Sequence, residues 1–192
     1  MIEVAWQLMM GFGLAASAGL RAFLPLLVVG VAGRFELIGL GERFTWMSSD
    51  AALIVFAVAV VIEVLGDKIP IVDHALDAVG TFARPVAGAL AAASPITAMD
   101  PVTATVVGVI LGTTIAGGVH AAKAGTRLLS TGGTAGLATP VISATEDALS
   151  FGAAMVSLFL PVVTFALVLV VFYVVYRGRR PRSDTLAVGG TD

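Results

Sequence analysis

The chain has 192 residues, of which 58% are hydrophobic and only 12% charged, and its mean hydropathy is +1.00. Soluble domains carry about twice that charged fraction, so composition argues against a water-soluble fold, and a net charge of −2 gives no basis for a nucleic-acid partner. With no Cys, disulfides and thiolate metal sites are excluded and the redox compartment cannot be read. Length fits one domain, 1–180, with 181–192 as a polar tail.

MIEVAWQLMM carries Glu3 and no basic stretch, so it lacks a signal-peptide layout and begins a retained first span. That span covers about 5–32. Pro25 lacks a backbone donor and crowds the carbonyl of Arg21, so a kink is expected there. The linker GRFELIGLGERFTWMSSD follows, with Trp46 as an interface aromatic. Its last residues, SSD, supply capping oxygens for a second span, AALIVFAVAVVIEVLG, about 25 Å long. After a charged stretch, PVAGALAAASPI is too short to cross unaided. It is either a half-helix or a span completed by the preceding DAVGTFAR.

Asp100-Pro101 is a helix start, with Asp at the cap and Pro at the first position. The span from Val102 to about Leu129 is interrupted by His120, Lys123 and Arg127, and TGGTAGLATP is a loop. SATE, with Ser143 and Glu146, has the form of a capping box, and apolar sequence then continues to Tyr176. Arg177, Arg179, Arg180 and Arg182 place the C-terminus in the cytoplasm, with disorder expected after Pro181. Arg34 and Arg43 point the first linker to the same side. The expected fold class is therefore all-α: a multi-pass protein of the bacterial inner membrane, with about five spans and a broken or re-entrant charged helix. GLAASAGLRA aligns without gaps with GTTIAGGVHA, pairing Arg21 with His120, and suggests an internal two-fold repeat.

Residues 63–85, EVLGDKIPIVDHALDAVGTFARP, gather charge beside an apolar span. On a helix Glu63 shares a face with Asp67, and Asp73 with Asp77, while His74 lies three residues from Asp77. Pro70 and Gly66 break the run, and a short amphipathic helix ending at Arg84-Pro85 is expected. A solvated loop would explain the charges alone. Ile69, Ile71, Val72, Leu76, Val79 and Phe82 interleave them, however, which favours burial with the polar face toward a cavity. A buried ionisable group costs about 2.5–3.5 kcal/mol even on lenient scales, so a partner is expected for each.

His120 and Lys123 share a face with Arg127, although snorkelling to an interface would also account for the two cations. Capping accounts for Glu146, but not for Asp147. The candidate polar cavity, a solute or proton pathway, thus comprises Glu63, Asp67, Lys68, Asp73, His74, Asp77, Thr81, Arg84, His120, Lys123 and Asp147, with Arg21 able to join. A metal held by Asp73, His74, Asp77 and His120 is conceivable, without a specific ligand spacing. No nucleophile elbow, P-loop, HExxH or dinucleotide fingerprint occurs, so neither a cofactor nor a catalytic residue is assigned. Gly108 and Gly112 form a helix-packing pattern.

The segments Gly66-Asp67-Lys68-Ile69-Pro70, Val72-Asp73-His74, Asp77, Thr81, Arg84-Pro85 and Ala87-Gly88 resemble a family of bacterial membrane proteins catalogued as a domain of unknown function. Ser143-Ala-Thr-Glu146-Asp147 matches the family's later S-x-x-ED element. In the family's first span a polar amide stands where this chain has Arg21. The resemblance implies membrane location and a shared fold, and it brings no activity. The function expected is a small transporter or channel-like protein for a polar or ionic solute, in contact with the lipid bilayer and of a size suited to a homodimer. The alternatives are a non-catalytic scaffold or assembly factor held by ion pairs, and an intramembrane lipid-modifying enzyme.

Overall fold

Apolar, Ala-rich runs without strand-forming alternation should give helices, and in a computed structural model they do. The structure describes the backbone of residues 1–67, 70–134 and 139–178, and within these the side chains other than 70, 71, 73, 74, 125–142 and 178. Lys68, the side chains of Arg127, Asp73 and His74, residues 135–138 and the tail from 179 lie outside that description, and the expected 131–140 loop is shorter than read, since 131–134 and 139–140 are helical. Among the described residues there is no strand. The α-helices are α1 (Ile2–Leu20), α2 (Phe23–Arg34), α3 (Asp50–Gly66), α4 (Pro70–Ala93), α5 (Pro101–Thr134), α6 (Thr139–Phe159) and α7 (Pro161–Gly178), with a 3₁₀ helix, Glu42–Ser48, before α3.

The kink expected near Arg21 is a complete break. Arg21 is extended, with φ −136° and ψ 119°, and α2 begins two residues later. Pro25 falls in the first turn of α2, where its missing N–H has no intrahelical partner to lose. The chain then turns back along the bundle. Gly30 packs on Leu53 and Arg34 pairs with Asp50 at 2.8 Å, so α2 runs antiparallel to α3. Beyond α2, Gly41 N–H donates to the Ser94 carbonyl at 2.8 Å. Gln7, near the start of α1, holds Thr97 and Ala98 through their N–H groups at 2.9 and 3.0 Å. Helices α1 and α2 therefore form a V with Arg21 at its apex.

A second V points the other way. Helix α6 descends along α1, with Ser150 at Ser17 and Ser157 at Gly13. Leu160 interrupts it, and Pro161 opens α7. That helix climbs back past Phe12, whose ring meets Phe165 edge-on at 4.9 Å, to Gly118, which packs against Phe172. Helices α3, α4 and α5 run the length of the bundle between the two ends. One expectation is thereby corrected. The linker carrying Arg34 and Arg43 and the end of α7 at Arg177 lie at opposite ends, because the α1–α2 pair returns to its starting end.

Three further expectations change. Helix α4 does not stop at Arg84-Pro85 but continues to Ala93, so DAVGTFAR completes the short apolar segment. The Ala87, Gly88, Ala91 and Ala92 surface that follows fits closely against α1 and α5. That packing offsets the roughly 3 kcal/mol cost of an interior Pro. Helix α6 begins at Thr139, so Ser143 and Glu146 lie inside it and not at its start. Helix α5 runs unbroken through His120 while α1 breaks at the aligned Arg21.

The cap signals at Asp50 and Asp100 are found as read. Ser49 Oγ accepts from Ala52 N–H at 3.3 Å, and Asp100 Oδ1 accepts from Thr103 N–H at 3.0 Å. Hydrogen bonds from Thr103, its side chain first and then its backbone, hold the Asp100 carboxyl below the usual 3.8. This cap therefore contributes fully above that value and fades as pH falls through the lower folded one.

Small residues fill the interior. A Cβ on Gly11 would lie 2.5 Å from the Ala92 carbonyl oxygen, and one on Gly112 would lie 2.6 Å from Ala89 Cα and against Gly88. The Gly108/Gly112 pattern is thus the α4–α5 contact. Gly112→Val should destabilise the protein by about 1–3 kcal/mol through overpacking. The check is a lowered midpoint of thermal unfolding in detergent.

Candidate functional site

The break at Arg21 leaves orphaned backbone groups: carbonyls at the end of α1 and N–H groups at the start of α2. Side chains from two other helices satisfy several of them. Glu63 of α3, itself buried, accepts the N–H groups of Ala22 at 2.9 Å and Phe23 at 3.3 Å. A carboxylate thus sits at the positive end of α2. Lys123 of α5 donates to the Leu20 carbonyl at 3.3 Å and pairs with Glu146 of α6 at 2.8 Å. A cation thus sits at the negative end of α1.

Between these capped ends lies the guanidinium of Arg21, with 0% of its surface exposed. Its Nη1 pairs with Asp67 and donates to the Glu63 carbonyl at 3.4 Å. Its Nη2 donates to Ser143 Oγ at 3.0 Å. Its Nε lies 2.6 Å from Asp147 Oδ1, an ion pair close in distance but not aligned as a hydrogen bond. One planar cation therefore joins the end of α3 to the first turns of α6. Below it, Ser17 Oγ and the Ser150 carbonyl lie 2.7 Å apart, and Ser150 Oγ donates to the Ser17 carbonyl at 3.1 Å.

Next to this network is a cavity of about 290 Å³ lined by Asp77, Ala78, Thr81, Arg84, His120, Lys123 and Ala124. Arg84 is 2% exposed. It pairs with Asp77 at 3.3 Å and donates to His120 Nδ1 at 2.5 Å. Gly80 makes room for it, since a Cβ there would stand 3.0 Å from the guanidinium carbon. Lys123 belongs to both groupings and makes them contiguous. A cavity of similar size, about 280 Å³, lies at the other end between the 3₁₀ helix and the α4–α5 turn. Its charged residues, Glu42 and Arg43, are solvent-exposed, so it carries less chemistry. Among the described residues no group of three His, Asp or Glu side chains is arranged to hold a metal.

Residues 8–180 match the family described as a domain of unknown function, DUF4126. The chain belongs to that family. Comparison with curated proteins and with solved structures finds no match. The DUF4126 match takes in the residues of both V-shaped pairs, of the ion network and of the cavity beside it.

In this DUF4126 chain the charged residues singled out from sequence fall into two adjoining sets. Glu63, Asp67, Asp147 and Lys123 surround Arg21; Asp77, Thr81, Arg84, His120 and Lys123 surround the cavity. Lys68 and the side chains of Asp73 and His74 are outside the described residues. Arg21 proves to be the centre of the first set, and Glu146 and Ser143 are members that capping-box logic assigned elsewhere. The signal for both was Pro140. A Pro near a helix start marks the first turn, which places Ser143 and Glu146 one or two turns inside.

Proposed function

We propose that this is a polytopic membrane protein acting as a small transporter or channel-like protein for a polar or ionic solute. Its residue distribution supports membrane embedding. Ile54, Val58, Ile62, Val106, Ile110, Leu167 and Val171 are exposed, whereas Arg21, Glu63, Asp67, Arg84, Lys123 and Glu146 are buried. That inversion suits lipid outside and costs dearly in water. Among the described residues, Pro101–Ala124 is long and apolar enough to cross a bilayer, and the 3₁₀ helix and α3, bent by 66°, pass the same test together. In this reading α3, α4 and α5 cross, while α1–α2 and α6–α7 re-enter from opposite faces. Three crossings keep the N-terminus outside and the Arg-rich C-terminus on the cytoplasmic face of the inner membrane.

The observation that carries the transport reading is the cavity whose wall holds Asp77, Arg84, His120 and Lys123, set beside a helix break. Irregular backbone and ionisable groups at membrane depth belong where they line a polar path. The Cys-free chain allows a direct check in intact membranes with a polar thiol reagent. The Thr81→Cys protein, substituted on the cavity wall, should react. The Phe82→Cys protein, substituted at a residue 79% exposed but facing lipid in this reading, should not, because the reagent and the thiolate both need water. Reaction at both sites would remove the membrane reading; silence at both would remove the wet cavity.

A second reading has its own observation. Every described ion pair around Arg21 is closed, as in a scaffold whose charges serve only to hold helices together. Silence at position 81 with normal folding would favour it.

A further inference from the structure

The groups facing the 290 Å³ cavity are mostly hydrogen-bond donors. Arginine stays protonated in proteins, so Arg84 donates to His120 Nδ1, and neutral His120 must then carry its hydrogen on Nε2. That nitrogen lies 3.5 Å from Thr81 Oγ, on the cavity wall. Thr81 contributes a hydroxyl, whose hydrogen goes to the Asp77 carbonyl at 3.1 Å, and Lys123 an ammonium group. Among the described residues Arg84 Nε, fully buried, has no hydrogen-bond partner. The lining thus holds two fixed cations, Arg84 and Lys123, each facing one carboxylate, Asp77 on the wall and Glu146 behind it, so that the charges balance while hydrogen-bond donors outnumber acceptors.

The volume is small beside the roughly 300–1,000 Å³ of sites for drug-sized ligands, so it suits a solute of a few heavy atoms. From this juxtaposition we propose that the cavity binds a small oxyanion, a phosphate, sulfate or carboxylate group. Planar guanidinium and point-charge ammonium groups together recognise such groups. The inference rests on the transport reading and narrows it: the solute is anionic, or the site takes the phosphate of an anionic lipid headgroup.

Charge selectivity of labelling tests it separately from cavity access. Two single-substitution proteins, Thr81→Cys and Ala78→Cys, both altered on the wall with Arg84 left intact, are held in neutral-lipid nanodiscs. They are treated with two thiosulfonate reagents of equal size, one bearing a sulfonate and one a trimethylammonium group. The sulfonate reagent should react at least about ten-fold faster at both positions, and millimolar inorganic phosphate should slow it. If phosphate has no effect but about 30% phosphatidylglycerol in the nanodisc protects, the oxyanion chemistry stands with the headgroup as its source. Arg84→Gln, where it folds, should abolish the preference.

Equal rates with the two reagents, without protection by either phosphate source, would overturn the anion site while leaving a wet cavity. Faster reaction of the cationic reagent would overturn it outright. No reaction with either would sink the transport reading together with it.

Discussion

Arg21→Met should be among the most damaging single substitutions in this protein, at about 3–5 kcal/mol, because it removes one partner from a buried ionic network. The methionine fills much the same volume but leaves Asp67 and Asp147 facing each other without the guanidinium that joins them. It also frees Ser143 Oγ from its 3.0 Å donor. Arg21→Lys should be intermediate, because a single ammonium group cannot present separate nitrogens to Asp67, Asp147 and Ser143 together. The triple variant Arg21→Met, Asp67→Asn, Asp147→Asn should recover most of the loss, since neutral groups of similar shape carry no uncompensated charge. Thermal unfolding in nanodiscs gives the ranking. An Arg21→Met protein as stable as the parent would show that the V of α1 and α2 is held by packing alone.

That single position also shows how far the amino-acid sequence reaches. An Arg inside an apolar run, four residues before a Pro, announces an interruption, and the break is where the pattern puts it. The pattern does not say whether the chain beyond a break goes onward or back. Direction is decided by partners far along the chain: Glu63 capping Ala22 and Phe23, Arg34 meeting Asp50, and Gly41 meeting Ser94. The starts of α3 and α5 were legible because Ser49 and Asp100 cap locally, within three residues. Pro85 misled for a related reason. Its local cost is real, but the Gly88–Gly112 and Ala93–Gly108 contacts outweigh it, and those are made with another helix. The charged residues from 63 to 84 were recognisable as a group, while their division between an ion network and a cavity depended on Lys123 and Glu146 from α5 and α6.

Glu63→Ala should be comparably severe for a different reason. Its carboxylate is the acceptor for two N–H groups at the start of α2, supplied from another helix, and Ala22 is itself buried. Removing the acceptor strands both donors away from water, at about 1–3 kcal/mol each, and removes the negative charge from the positive end of α2. Glu63→Gln keeps one acceptor oxygen and the side-chain volume, so stability should fall in the order Glu, Gln, Ala. The structural consequence can be read apart from the stability loss. In an Ala22→Cys background, a polar thiol reagent should fail to react while Glu63 is present, because the apex of the V is closed. It should react once Glu63→Ala is added and α2 swings free. If the thiol at position 22 stays protected while stability falls, Glu63 contributes energy to the apex without holding its shape. The two functions separate because one depends on charge near a helix end, whereas the other depends on a hydrogen bond that fixes where α2 begins.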